Sequence, residues 1–174
     1  MACSVDKTKM DAKYVSIYDD SHYLIFKKDG SLKSSMWTDS ERKPLDCFIY
    51  TLDEDGVVTA IDTTEYEGQD SFDEYEIGIL YKDYICPRWE GTMSKRYTDM
   101  TLINKLDENF ILTFNLKKDK TYEYIITTNG EDIEAENGTY KIKGNEIITT
   151  SDEGKKGTFI NIDGTTYCIE YRKQ

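Results

Sequence analysis

The stretch Gly138–Thr150, GTYKIKGNEIITT, sets the fold class. Tyr140 and Ile142 alternate with Thr139, Lys141 and Lys143, the period of a strand with one buried face, and Gly144-Asn145 then offers a two-residue turn into a second β-rich run. Ninety residues earlier the pattern recurs. Phe48-Ile-Tyr-Thr-Leu52, the turn Asp53-Glu-Asp-Gly56 and Val57-Val-Thr-Ala-Ile61 repeat strand, turn and strand, with Tyr50 in the place of Tyr140. Two copies of one hairpin at a fixed spacing point to an all-β chain with an internal repeat.

Further hairpins fall into line on either side of each copy. In the first half, Tyr14–Ile17 and Tyr23–Phe26 precede the Lys28-Asp29-Gly30 turn and the run Ser31–Trp37. Glu74–Tyr81 then alternates, with Tyr75, Ile77, Ile79 and Tyr81 on one face, and the Lys82-Asp83 turn leads into Tyr84-Ile85-Cys86. In the second half, Phe110–Leu116 turns through residues 117–120 into Thr121–Thr128, and Gly157–Ile162 turns at Asp163-Gly164 into Thr165–Tyr171. On this reading Phe26 matches Phe114, and Tyr84–Cys86 matches Tyr167-Cys168. The expected architecture is an all-β antiparallel meander with two similar six-stranded halves, built as two small meanders or as one larger barrel. Its expected parts are a flexible N-terminal tail over 1–12, a first half over 13–87 and a second over 88–174. Met93, Tyr97, Met100, Ile103 and Leu106 recur at spacings of four and three, so a short helix is expected around 93–106.

Charge narrows the partners. The formal net charge is -12, which disfavours nucleic acid, because binding to phosphate backbones draws on clustered lysine and arginine. Most of the imbalance lies in residues 1–87, with 19 acidic against 9 basic side chains. Residues 44–81 hold eleven acids and no lysine or arginine, a local field suited to a basic partner. Within it, Asp53, Asp55, Glu65, Glu67, Asp70 and Asp73 are the expected partner-binding residues. Cys3, Cys47, Cys86 and Cys168 are too scattered for a disulfide framework or a CxxC metal motif and read as thiols. Cys3, ahead of the polar run SVDKTKMDAK, has two readings, an ordinary cytosolic N-terminus or the lipid attachment point of a surface protein.

Residues 109–171 resemble the small lipocalin-like domains of bacterial secreted proteins and lipoproteins. The similarity is carried by Leu112-Thr-Phe114, the turn Lys118-Asp-Lys-Thr-Tyr122, Asn137-Gly-Thr-Tyr-Lys-Ile-Lys-Gly-Asn145, and Gly157-Thr-Phe159 before Asp163-Gly164. Lys120 departs from the pattern, standing where a glycine usually follows the aspartate. The resemblance implies a meander barrel or half-barrel, often surface-anchored.

The residues themselves remove several chemistries. His22, the single histidine, rules out a multi-histidine zinc site and reads as partly buried on the face of Leu24 and Phe26. No nucleophile elbow, phosphate loop or dinucleotide fingerprint is present. Asp53-Glu-Asp55-Gly56 resembles the start of a calcium loop but lacks the distal bidentate glutamate. No cofactor is expected. Tyrosines at alternating strand positions line a barrel or fill its core, and Tyr50, Tyr75, Tyr124 and Tyr140 are the expected ligand contacts. Trp37 and Trp89 near strand ends are candidates for stacking on a sugar or peptide. The expected function is a non-catalytic, secreted or surface-anchored module binding a small ligand or a protein. An acidic inhibitor or decoy covering a cationic surface is the second reading, and a glycan-acting enzyme the third.

Overall fold

The computed structural model describes residues 10–65, 67–68, 71–91, 100–106 and 108–174, and every regular element among them is a strand. Seven strands come first: Ala12–Ser16 (β1), Tyr23–Phe26 (β2), Ser31–Ser34 (β3), Phe48–Leu52 (β4), Val57–Asp62 (β5), Glu74–Tyr81 (β6) and Tyr84–Cys86 (β7). Eight follow: Arg88–Trp89 (β8), Met100–Lys105 (β9), Phe110–Leu116 (β10), Thr121–Thr128 (β11), Glu131–Lys143 (β12), Glu146–Ser151 (β13), Lys156–Ile162 (β14) and Thr165–Cys168 (β15). Tyr171–Lys173 (β16) is the last. They form two antiparallel sheets. One is a closed barrel in the order β1-β16-β7-β6-β5-β4-β3-β2, and the other runs β8-β15-β14-β13-β12-β11-β10-β9. A single bridge between Glu90 and Ile103 nearly closes the second sheet. The chain divides into two compact units, Met1–Pro87 with Glu170–Gln174, and Arg88–Ile169.

Each sheet thus has eight strands where the sequence suggests six per half. The added strands include the shortest, β8 and β16, which are too brief to show a period of their own. The expected helix is corrected as well. Met100–Lys105 is a strand paired along its length with β10, Leu102 facing Phe114 and Met100 facing Leu116. The helical spacing singled out Met100 and Ile103, whereas the fully buried side chain is Leu102 between them. Long-range pairing overrides a local period here. The earlier part of that expected helix (residues 93–99), Cys3 and Asp70 lie outside the described residues.

The repeat is visible in hydrogen bonds. In the first unit Tyr50 Oη donates to the carbonyl of Lys27 (3.2 Å), and in the second Tyr140 Oη donates to that of Lys117 (2.6 Å). The Tyr50 amide donates to Gly30 O and the Tyr140 amide to Lys120 O. Asp29 accepts from the amide and hydroxyl of Ser31, as Asp119 does from those of Thr121. Every partner lies 90 residues from its counterpart, so each barrel is latched by a buried tyrosine reaching across to one turn. This sets the true register. Leu116 stands in the place of Phe26, and Phe114 in the place of Leu24, which corrects the match of Phe26 to Phe114.

The two turns make the same backbone demand and meet it with different residues. Gly30 has φ 91 and Lys120 has φ 70, a left-handed conformation that costs an L-residue roughly 1–2 kcal/mol. The Lys120 ammonium lies 5.2 Å from the centre of the Tyr140 ring, which offsets part of that cost. Lys120→Gly is expected to stabilise the protein by about 0.5–1 kcal/mol, read as a higher urea midpoint at unchanged m. A lower midpoint would show that the lysine side chain contributes more than its backbone costs.

Candidate ligand-binding site

Alternation sends one face of every strand inward, and both interiors are largely filled. The first core gathers Tyr14, Leu24, Phe26, Leu32, Phe48, Tyr50, Val58, Ala60, Ile85 and Tyr171. The second gathers Trp89, Leu102, Leu116, Tyr122, Tyr140, Ile147, Phe159 and Cys168. Of the expected ligand contacts, Tyr50 and Tyr140 are therefore buried latches whose hydroxyls bond to backbone carbonyls. Tyr75 is exposed, 6.2 Å from Trp37 between ring centres. Tyr124 is half-buried and stacks on Phe114 at 4.5 Å. Tyr50 and Tyr75 belong to one unit, Tyr124 and Tyr140 to the other.

The units differ most where β3 leads to β4 and, in the repeat, β11 leads to β12. In the first unit residues 35–47 fold into a small cap. Thr38 bridges Pro44, the Leu45 amide donates to Trp37 O at 2.9 Å, and Asp39 Oδ1 accepts from the amides of Glu41 and Lys43. Trp37 stacks on Phe48 at 4.2 Å, and Trp37 and Leu45 pack on the core. Beneath this cap Leu24 is 0% and Ser34 1% exposed. In the second unit Asn129 and Gly130, with φ 53 and φ 81, turn β11 directly into β12, and no cap is built. The residues in register with Leu24 and Ser34 are Phe114 and Tyr124, which face each other across the β10–β11 pair just as Leu24 faces Ser34. Both rings stay partly open to solvent.

Phe114 is the hub of this open end. Its ring meets Tyr122 at 5.1 Å, Trp89 at 5.7 Å edge-on and Phe159 at 5.0 Å edge-on, besides Tyr124. Trp89, directly opposite Thr166, is only 5% exposed, which takes it out of the role of an exposed stacking surface. Trp89 Nε1 and Thr166 Oγ1 are both buried without a hydrogen-bond partner among the described residues. Leaving such groups unpaired costs about 1–3 kcal/mol each. Tyr122 Oη donates to Glu136 Oε1 at 2.7 Å, and burial first, then that carboxylate, pushes the Tyr122 hydroxyl well above the usual phenol range.

The acidic residues are split. Asp53 and Asp55 sit in the turn before β5, where Asp53 Oδ1 accepts from the amides of Asp55 and Val57. Glu65, Glu67 and Asp73 follow the far end of β5, roughly 20 Å away along six residues of strand. All five are exposed. His22 is also exposed, with Nε2 4.0 Å from Asp19 Oδ2, in place of the partly buried position expected of it. Among the described residues no three histidine, cysteine, aspartate or glutamate side chains are placed to hold a metal ion. Two concavities, of about 370 and 260 Å³, are open grooves on the second unit. Met100, Asn115, Lys117 and Glu123 border the larger and Ile125, Asp132 and Ile133 the smaller; among the described residues no tyrosine lines either.

No family model, curated protein or solved structure matches this chain.

Proposed function

We propose that the chain is a non-catalytic binding module of the lipocalin-like kind, and that its ligand enters the uncapped end of the second barrel to lie on Phe114 and Tyr124. The observation that carries the reading is the contrast between the units. One topology closes Leu24 and Ser34 under a cap and leaves two stacked aromatic rings open at the same two positions. Aromatic faces suit a flat, mostly apolar molecule. The unpaired Trp89 Nε1 and Thr166 Oγ1 add a preference for one that carries a hydrogen-bond acceptor. In this reading the protein works outside the cell or at its surface, tethered through Cys3.

The test is fluorescence titration with N-phenyl-1-naphthylamine, a neutral flat probe. Phe114→Leu and Tyr124→Ser install the residues found in register in the first barrel, and each is expected to weaken probe binding at least tenfold. Tyr50→Phe, in the latch of the other barrel, is expected to leave it unchanged. Absence of saturable binding, or equal loss in all three variants, overturns the assignment.

A further inference from the structure

The strands that close the sheets have an unusual origin. β8 and β16 hold equivalent places: Trp89 lies opposite Thr166 of β15, and Tyr171 lies opposite Ile85 of β7. Yet neither returns to the meander it follows. Pro87 alone separates β7 from β8, which pairs in the second sheet, and Ile169-Glu170 separates β15 from β16, which pairs in the first. The place between β1 and β7 is therefore filled by a strand that arrives from another unit, and its closure does not depend on continuity with β7.

That place is specific but its occupant is short. β16 pairs with β1 at three positions and with β7 at two. Its ends are fixed by Ile17 N donating to Glu170 O, Lys173 N to Asp83 O and Gln174 N to Lys13 O, each 2.8–2.9 Å. Tyr171 is its single core anchor, buried with Tyr14 and Ile85. At the hinge Glu170 places a desolvated carboxyl beside the Cys86 thiol and the Tyr171 hydroxyl, a group that gains solvent when the strand leaves. Departure exposes the unpaired edges of β1 and β7, and such edges template the addition of a matching strand.

We infer that the groove between β1 and β7 is an interaction surface for a second copy of this chain, whose Glu170–Gln174 segment replaces the resident one to give a reciprocally exchanged dimer. Every pairing that β16 makes at home is available in the other copy, and exchange is governed by concentration and by the two-residue hinge. The partner's chemistry is set by the groove: an aromatic side chain for the core position, followed by exposed polar residues, as Tyr171-Arg172-Lys173 supplies.

Val15 and Arg172 are directly paired across β1 and β16, at a spacing of about 5.5 Å that suits a disulfide. Full-length Val15→Cys and Arg172→Cys chains are mixed at about 200 µM, cycled through partial denaturant and oxidised. A covalent species of twice the chain mass is expected, with the link mapped to positions 15 and 172. The double variant Val15→Cys/Arg172→Cys, oxidised as a monomer first, is expected to show at least a tenfold smaller dimer fraction. In parallel, isotope-labelled and unlabelled wild-type chains are expected to give mixed dimers by native mass spectrometry, which needs no substitution. Chains that stay monomeric in both experiments, or dimers that form equally well from the locked variant, overturn the inference.

Discussion

Replacing Tyr171 by alanine is expected to cost the first barrel about 3–5 kcal/mol, the range for removing a buried aromatic side chain. Tyr171 is 3% exposed, belongs to the core with Tyr14 and Ile85, and is the residue through which the closing strand holds on. The two tryptophans report on one unit each: Trp37 packs on the first core and Trp89 belongs to the second. In single-tryptophan versions made with Trp89→Phe or Trp37→Phe, the urea transition seen through Trp37 is expected to fall by roughly 2 M, taking a slope near 2 kcal/mol/M. The transition seen through Trp89 is expected to move by less than half as much. Equal shifts would mean that the two units unfold as one.

Glu170→Gln is expected to stabilise the protein at alkaline pH by up to about 3 kcal/mol. Burial raises the Glu170 carboxyl from its ordinary 4.5 to about 7, with the Tyr171 hydroxyl opposing the shift through its hydrogen bond. Below about pH 4.5 the carboxyl is protonated in both the folded and the unfolded chain and costs nothing. As pH rises towards 7 the unfolded chain ionises while the folded one keeps its proton, so this residue's contribution to stability falls. Above about 7 the loss is complete. Glutamine keeps the shape and removes the titration, so its advantage is expected to be near zero at pH 4 and full at pH 8. Melting temperatures of the two chains across that range check it; parallel curves would show that the carboxyl does not titrate abnormally. Cys86, whose thiol is pushed up to about 12 by burial and by Glu170, stays neutral throughout and does not confuse the reading.

Much of this fold is legible in single hairpins. β4 with β5 and β12 with β13 follow from alternation and turn residues alone, because one buried face and a tight turn leave a period of two and a glycine in the chain. The closing strands are not legible, since Arg88-Trp89 and Tyr171–Lys173 are too short to repeat a period of two and find their partners far away in sequence. β9 was obscured by Met100, Ile103 and Leu106 falling at helical spacing. The site was half visible. Tyr124 stands out as a strand tyrosine, but so do Tyr50 and Tyr140, and these two recur at the same place in both halves. What both copies share serves the fold, and what differs between them is free to serve a ligand. Leu24 against Phe114, and Ser34 against Tyr124, carry that signal once the register of 90 residues is known.

The position of β16 also decides the order in which the barrels finish during synthesis. When Pro87 has been made, the first unit has seven strands and two open edges, and its eighth lies at Tyr171–Lys173. The remaining half of the chain takes roughly 4–17 s to add at 5–20 residues per second. All strands of the second unit precede Ile169, so the barrel begun last is complete first. For those seconds the N-terminal meander is a nascent chain with Tyr14 and Ile85 deprived of their neighbour Tyr171, and β1 and β7 are open to whatever strand the surroundings offer.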